Sequence, residues 1–166
     1  MDFIFRRRSI RRYTKQAVNE EQIHLLLQAA MNAPSADNQQ LWQFIVINDR
    51  ERLRQIPIEE PYSQIFTEAP MAILVCGDQR LERLPGTWVQ DCSAAVENIL
   101  LAATGLGLGS VWLNVHPHAE RINAFQQFFR LPPEVMPLAI LPIGYPLEGK
   151  EPVHRFVASR VHYNQW

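Results

Sequence analysis

Cysteine is nearly missing from this chain: there are two in 166 residues, Cys76 and Cys92. They lie far apart in apolar surroundings with no CxxC spacing, which excludes a disulfide framework and a zinc site and reads as buried thiols. Charge of one sign is missing too, since 16 Lys and Arg stand against 17 Asp and Glu, for a formal net charge of -1. A nucleic-acid binder carries a basic balance over a whole face, so no nucleic-acid partner is expected. No apolar run reaches the length of a membrane span, and no apolar h-region with a small-residue cleavage site follows the N-terminal arginines. The expectation is a cytoplasmic protein with no membrane partner.

Catalytic signatures are equally scarce. There is no HExxH, no carboxylate-histidine cluster and no GxSxG elbow; His116 and His118 merely flank Pro117, His24 lies on a helical stretch, and His154 and His162 fall near the C-terminus. No metal site is expected. Glycine numbers seven, and the run Gly105-Leu106-Gly107-Leu108-Gly109 follows a helical pattern and precedes a strand-like one. That is the reverse of a dinucleotide fingerprint, so these glycines read as a helix C-cap and a tight turn. A chain with a ligand site and no evident nucleophile, acid or base leaves its chemistry to a cofactor.

What is present is arginine, concentrated in Arg6-Arg7-Arg8-Ser9-Ile10-Arg11-Arg12-Tyr13. Guanidinium forks match phosphate oxygens bidentately and keep their charge at every physiological pH. Taken alone, the octet fits either a solvated basic patch or a phosphate site. A second polar segment, Ala33-Pro34-Ser35-Ala36-Asp37-Asn38-Gln39-Gln40-Leu41-Trp42, is dense in amides and ends on an aromatic. Amides offer both donors and acceptors, which suits a flat heteroaromatic ring. The two segments describe two ends of one ligand.

Hydrophobic patterning supplies the scaffold. Phe3, Ile4 and Phe5 give the first residues an apolar face on a short helix. Asn19 with Gln22 is a capping signal ahead of Ile23, Leu26, Leu27, Ala30 and Met31 at helical spacing, and Pro34 stops that helix. Strands are expected at Trp42–Ile47, Met71–Cys76, Ser110–Val115 and Leu138–Ile143, with Met71–Cys76 covered on both faces. Helices are expected from Asp49 through Arg54, over Thr87–Thr104 as the central helix, and over Ala119–Phe129. One layered α/β or α+β domain over 1–166 follows, with about 148–166 as an extended arm whose Tyr163 and Trp166 dock either on another subunit or on their own domain.

Together, Arg7-Arg8-Ser9-Ile10-Arg11, Ala33 to Phe44, Asp91 to Asn98 leading into Gly105–Trp112, and Ile143-Gly144-Tyr145-Pro146 resemble the nitroreductase family of FMN-dependent oxidoreductases. The resemblance runs in order over nearly the whole chain. It implies an α+β nitroreductase-like fold, a central mixed sheet of four to five strands flanked by helices, and a homodimer with exchanged C-terminal arms and FMN at the subunit interface. Carried over by position, it implies that Arg7, Arg8, Ser9 and Arg11 hold the FMN phosphate and ribityl chain. Pro34, Ser35 and Asn38 then approach the isoalloxazine from the partner, with Gln40 ranking behind them. Leu113, Asn114 and Val115 present backbone near flavin N5, and Arg155 adds a second basic contact to the phosphate, with Lys150 behind it. Arg6 and Arg12 are left as surface charges, and Leu41 departs from the family's usual proline before the aromatic.

The implied activity is ping-pong hydride transfer through flavin N5 from NADH or NADPH to a flat acceptor, with no side chain acting as acid or base. The alternative is a flavin-binding storage or sensor protein with little turnover. With only the 59–68 and 78–86 loops free to cover the flavin, the expected pocket is open and takes small aromatic acceptors such as nitroaromatics or quinones.

Overall fold

The most continuously apolar stretch of the chain becomes the strand around which the rest is built. A computed structural model describes residues 2–166. One sheet contains Trp42–Ile47 (β1), Met71–Asp78 (β2), Gly109–Ser110 (β3), Leu113–Asn114 (β4) and Val135–Gly144 (β5). Its spatial order is β1-β2-β5-β3, with β4 also on β5, and every strand pairing is antiparallel. The parallel component is a single bridge, Ser9 to Ser110. β2 is buried at every position, as a strand covered on both faces must be.

Helices cover both faces. Among them are Asp2–Arg6 (α1), Glu20–Met31 (α2), Arg50–Arg54 (α3), Ile65–Glu68 (α4), Trp88–Gly105 (α5) and Ala119–Phe129 (α6). Leu26, Ala95, Val96 and Ile99 of α2 and α5 pack on Met71, Ile73, Val75 and Leu141 of the sheet. On the other face, Leu53, Ile65, Phe66 and Phe125 of the remaining helices meet Ala72, Leu74, Cys76 and Ile140. The alternation along β2 sends successive side chains to opposite layers. A fully buried Ile or Leu here contributes about 1.5–3 kcal/mol through removal of apolar surface from water. Both cysteines lie in these layers as free thiols, and burial pushes the Cys76 thiol up to about 12.

Local signals explain most of the boundaries. The capping box closes α2: the Gln22 N–H donates to Asn19 Oδ1 at 2.8 Å, and the Asn19 N–H donates to Gln22 Oε1 at 3.2 Å. Asp49 caps α3 by accepting from the Arg52 N–H at 2.8 Å. The strand expected over Ser110–Val115 is instead two short pieces on β5. Both keep one register, which places Val111 opposite Pro142 at the break. A proline has no N–H to give a ladder, and the Pro142 carbonyl accepts from the Tyr13 hydroxyl at 3.1 Å.

The C-terminal residues contribute nothing to this core. Positions 151–166 are all exposed, and Trp166 is 99% exposed. The indole stacks on His162, with ring centroids 4.3 Å apart, and residues 152–166 find no cover among the described residues of their own subunit. No helix among the described residues is long and apolar enough to cross a membrane.

Candidate functional site

Burial along the arginine segment decides what it can do. Ile10 and Tyr13 point into the core, while Arg11 and Arg12 face solvent. The Ile10 N–H donates to the Ser110 carbonyl at 3.0 Å, so the segment lies along the sheet edge at β3. Gly109 permits this approach: a Cβ there would come within 2.8 Å of the Ile10 side chain. On its other side the segment is held by 145–150. The Thr14 N–H donates to the Tyr145 carbonyl at 2.9 Å, the Leu147 N–H to the Arg12 carbonyl at 2.9 Å, and Lys150 Nζ to the Ser9 carbonyl at 2.7 Å.

The guanidinium groups then sort by partner. Arg6 pairs with Asp2 at 2.8 Å and Arg12 with Glu68 at 2.9 Å, which leaves both in structural surface pairs. Arg7 is half-buried and reaches Glu97 of α5 at 3.4 Å, and Arg8 donates to the Glu151 carbonyl. Arg11 uses only its backbone N–H, on Glu148 Oε1 at 2.7 Å. Among the described residues its guanidinium has no ion-pair partner.

Arg11 shares a cavity of about 240 Å³ with Leu113 and Asn114, and Tyr62, Trp112 and Arg121 complete much of its wall. This joins two segments that lie a hundred residues apart in sequence. Arg8 and Lys150 line a separate hollow of about 410 Å³ with Pro146 and Glu148. Small-molecule sites usually measure about 300–1,000 Å³. The smaller cavity is thus part of a site rather than the whole of one. Trp112 Nε1 is buried with no hydrogen-bond partner among the described residues, a donor that a completed site would be expected to satisfy.

The amide loop stands apart from this cavity and is propped from beneath. Gln39 is buried, donates through Nε2 to Asp91 Oδ2 at 2.6 Å and to Thr87 Oγ1 at 2.9 Å, and accepts from the Arg83 N–H at 2.8 Å. Asp91 Oδ1 accepts from the Ala36 N–H at 2.9 Å, and Ser35 Oγ from the Gln40 N–H at 3.1 Å. This scaffold holds Asp37, Asn38 and Gln40 at positive φ, a conformation that non-glycine residues rarely adopt and that clusters at functional sites. Pro34, Asn38 and Gln40 face outward, with Ser35 half-buried. Arg155 lies in the exposed arm, so within one protomer neither it nor the 34–40 loop meets Arg11.

Sequence reasoning missed the supports. Asp91 did carry a signal, since it stands on the same helical stripe as Trp88, Cys92 and Ala95, and a carboxylate on a buried stripe requires partners. Tyr62 and Arg121 carried none, because loop-to-helix contacts leave no spacing pattern.

Glu148 sets an acid limit on the segment. Burial opposes its ionisation, but the Arg11 N–H and the Lys150 ammonium outweigh this and hold the carboxyl below its ordinary 4.5. A carboxyl depressed in the folded state stabilises it fully above the ordinary value, and that stabilisation is lost as pH falls through the lower folded value. Thermal midpoints of the wild type and Glu148→Gln should therefore differ at neutral pH and converge as pH falls from the ordinary value through the lower folded one. A gap between them that stays constant across that window would contradict this role.

Comparison with known proteins defines the class first. The fold is that of a Clostridium acetobutylicum structure provisionally named an NADH oxidase, with a TM-score of 0.95 at 40% identity, covering 99% of this chain and 100% of that one. A Desulfovibrio desulfuricans protein, provisionally named a nitroreductase and solved in complex with FMN, matches with a TM-score of 0.82 at 33% identity, covering 99% and 96%. A relative from Methanothermobacter thermautotrophicus, provisionally named an NADH dehydrogenase/NAD(P)H nitroreductase, is 45% identical over 166 residues, spanning 100% of this chain and 87% of its own. The chain belongs to the nitroreductase family, whose model matches residues 4–60 and 54–145.

Proposed function

We propose that this chain is an FMN-dependent oxidoreductase that takes reducing equivalents from NADH or NADPH and passes them to flat acceptors such as quinones or nitroaromatics. The observation that carries this reading is the convergence of the partner-free Arg11 guanidinium with Leu113 and Asn114 in one cavity. The donor set suits FMN: several guanidinium groups for a phosphate and ribityl chain, and backbone with indole and amide groups for a polar ring. When FMN is bound, the chemistry supplied at the site is hydride exchange at N5, from the nicotinamide and then to the acceptor.

The chain's own residues bind and orient. Arg7, Arg8, Ser9 and Arg11 would hold the phosphate and ribityl chain, and the Arg11 guanidinium, which shares its cavity with Asn114, would add positive charge that stabilises a reduced flavin. Leu113 and Asn114, which line the cavity, and the fully buried Val115 beside them would present backbone toward the ring. Pro34, Ser35, Asn38 and Gln40 reach the ring of the partner's cofactor in a homodimer, and Arg155 arrives with the arm. A part-sized cavity, an outward-facing rigid loop and a bare arm support this division.

Removal of 152–166 tests the assembly. These residues bury nothing on their own subunit, so the truncated protein should keep its far-UV spectrum. The arm's aromatics should be anchors on the partner, so dimer dissociation in sedimentation should rise about tenfold and FMN should bind more weakly. A truncated chain with unchanged assembly and unchanged FMN affinity would contradict the arm's role.

A further inference from the structure

Arg121, in the first turn of α6, belongs to none of the motifs above, yet it occupies the junction of the site. Its side chain is only 15% exposed and its guanidinium is divided between two partners. Nη1 donates to the Asn114 carbonyl in β4, and Nη2 pairs with the Glu59 carboxylate. The first partner belongs to the wall of the cavity that holds Arg11, and the second to a loop that supplies part of that wall. Asn114 lines it directly, and Glu59 sits in the 57–64 loop, which contributes Ile58 and Tyr62. On its far side Arg121 borders a second hollow of about 530 Å³, lined also by Pro57, Glu59, His118 and Glu120. Arg121, together with His118, lines both spaces and forms part of the partition between them.

The geometry points to Arg121 as a positioning residue that ties the 57–64 loop to the Asn114 backbone and so sets which acceptors fit the cavity. This rests on the reading of that cavity as the redox site. A fork with several fixed donors can grip a carbonyl and a carboxylate at once, which a lysine ammonium does less well. Glu59 is largely exposed, so its ion pair alone adds little. The grip on the Asn114 backbone in β4 anchors the fork, and the grip on the exposed Glu59 carboxylate leaves the loop able to yield. Loss of the fork frees the loop, and the space beyond the partition becomes available to a larger ring.

The test compares Arg121→Met, Arg121→Lys, Glu59→Gln and the Arg121→Met/Glu59→Gln double variant as FMN-loaded protein. Readouts are the FMN dissociation constant from flavin fluorescence, the thermal midpoint, and kcat and KM for a benzoquinone and a naphthoquinone. Arg121→Met should raise the naphthoquinone-to-benzoquinone ratio of kcat/KM about tenfold through KM, with kcat held within about twofold and the FMN constant within about threefold. Glu59→Gln should move the ratio in the same direction, the double variant should exceed Arg121→Met by little, and Arg121→Lys should fall between. An unchanged ratio overturns the proposal. So does a uniform loss for both quinones with FMN loosened, which would make Arg121 a cofactor or purely structural residue. If Arg121→Met does not fold, Glu59→Gln decides the question alone. Wild type that takes up no FMN would instead overturn the redox reading.

Discussion

Arg11→Ala should release FMN while leaving the fold intact. The Arg11 side chain is exposed and carries no ion pair, and its structural contact, the backbone N–H on Glu148, survives the substitution. Stability should therefore change little. The cofactor loses a charge-assisted partner of the kind that contributes about 1.5–3 kcal/mol, so its dissociation constant should rise about 10- to 150-fold. Arg12→Ala is the matched control: it removes a guanidinium one position away that is already engaged by Glu68, and FMN affinity should stay near wild type. Titration of the apoprotein with FMN, followed by flavin fluorescence, separates the two. Equal affinities for Arg11→Ala and wild type would remove Arg11 from the site.

The second large effect is expected at a residue that touches no ligand. Asp91→Ala strips the acceptor from the Ala36 N–H and from the Gln39 amide, both beneath the 34–40 loop. Asp91 is 5% exposed, so water does not readily replace it, and the orphaned donors cost their desolvation in full. A loss of about 2–4 kcal/mol in urea unfolding is expected. The positive-φ residues of the loop lose their support at the same time, so FMN affinity should fall as well. Asp91→Asn keeps one acceptor oxygen and should lie between. A stability loss below about 1 kcal/mol with FMN affinity unchanged would show that the loop holds its shape without this strut.

These contrasts mark where the chain was legible. α2, α5, β1 and β2 could be read because apolar periodicity, a capping box and a bounding proline act locally. α4 could not, since a four-residue helix inside a proline-bounded loop has no period to show. The division of the third strand was hidden because its cause, Pro142, lies on a different strand and matters only once the register is fixed. The site divides in the same way. The arginine segment, the amide loop and Leu113-Asn114-Val115 were visible as motifs, but five arginines in a row of eight look alike on the page. The resemblance set Arg11 apart from Arg12 by position, and the physical reason for the difference appears only in their partners. Tyr62, Trp112 and Arg121 reach the cavity by tertiary contact, which no spacing encodes.

The most direct measurement is the absorbance spectrum of purified protein, supplemented with FMN if it is isolated colourless, before and after anaerobic addition of NADH or NADPH. The flavin bands should be present and should bleach promptly with at least one of the two nicotinamides, then return when a quinone is admitted. Protein that shows no flavin bands and takes up no added FMN, or whose bound flavin stays oxidised with both nicotinamides, would contradict the proposal that this chain is an FMN-dependent oxidoreductase.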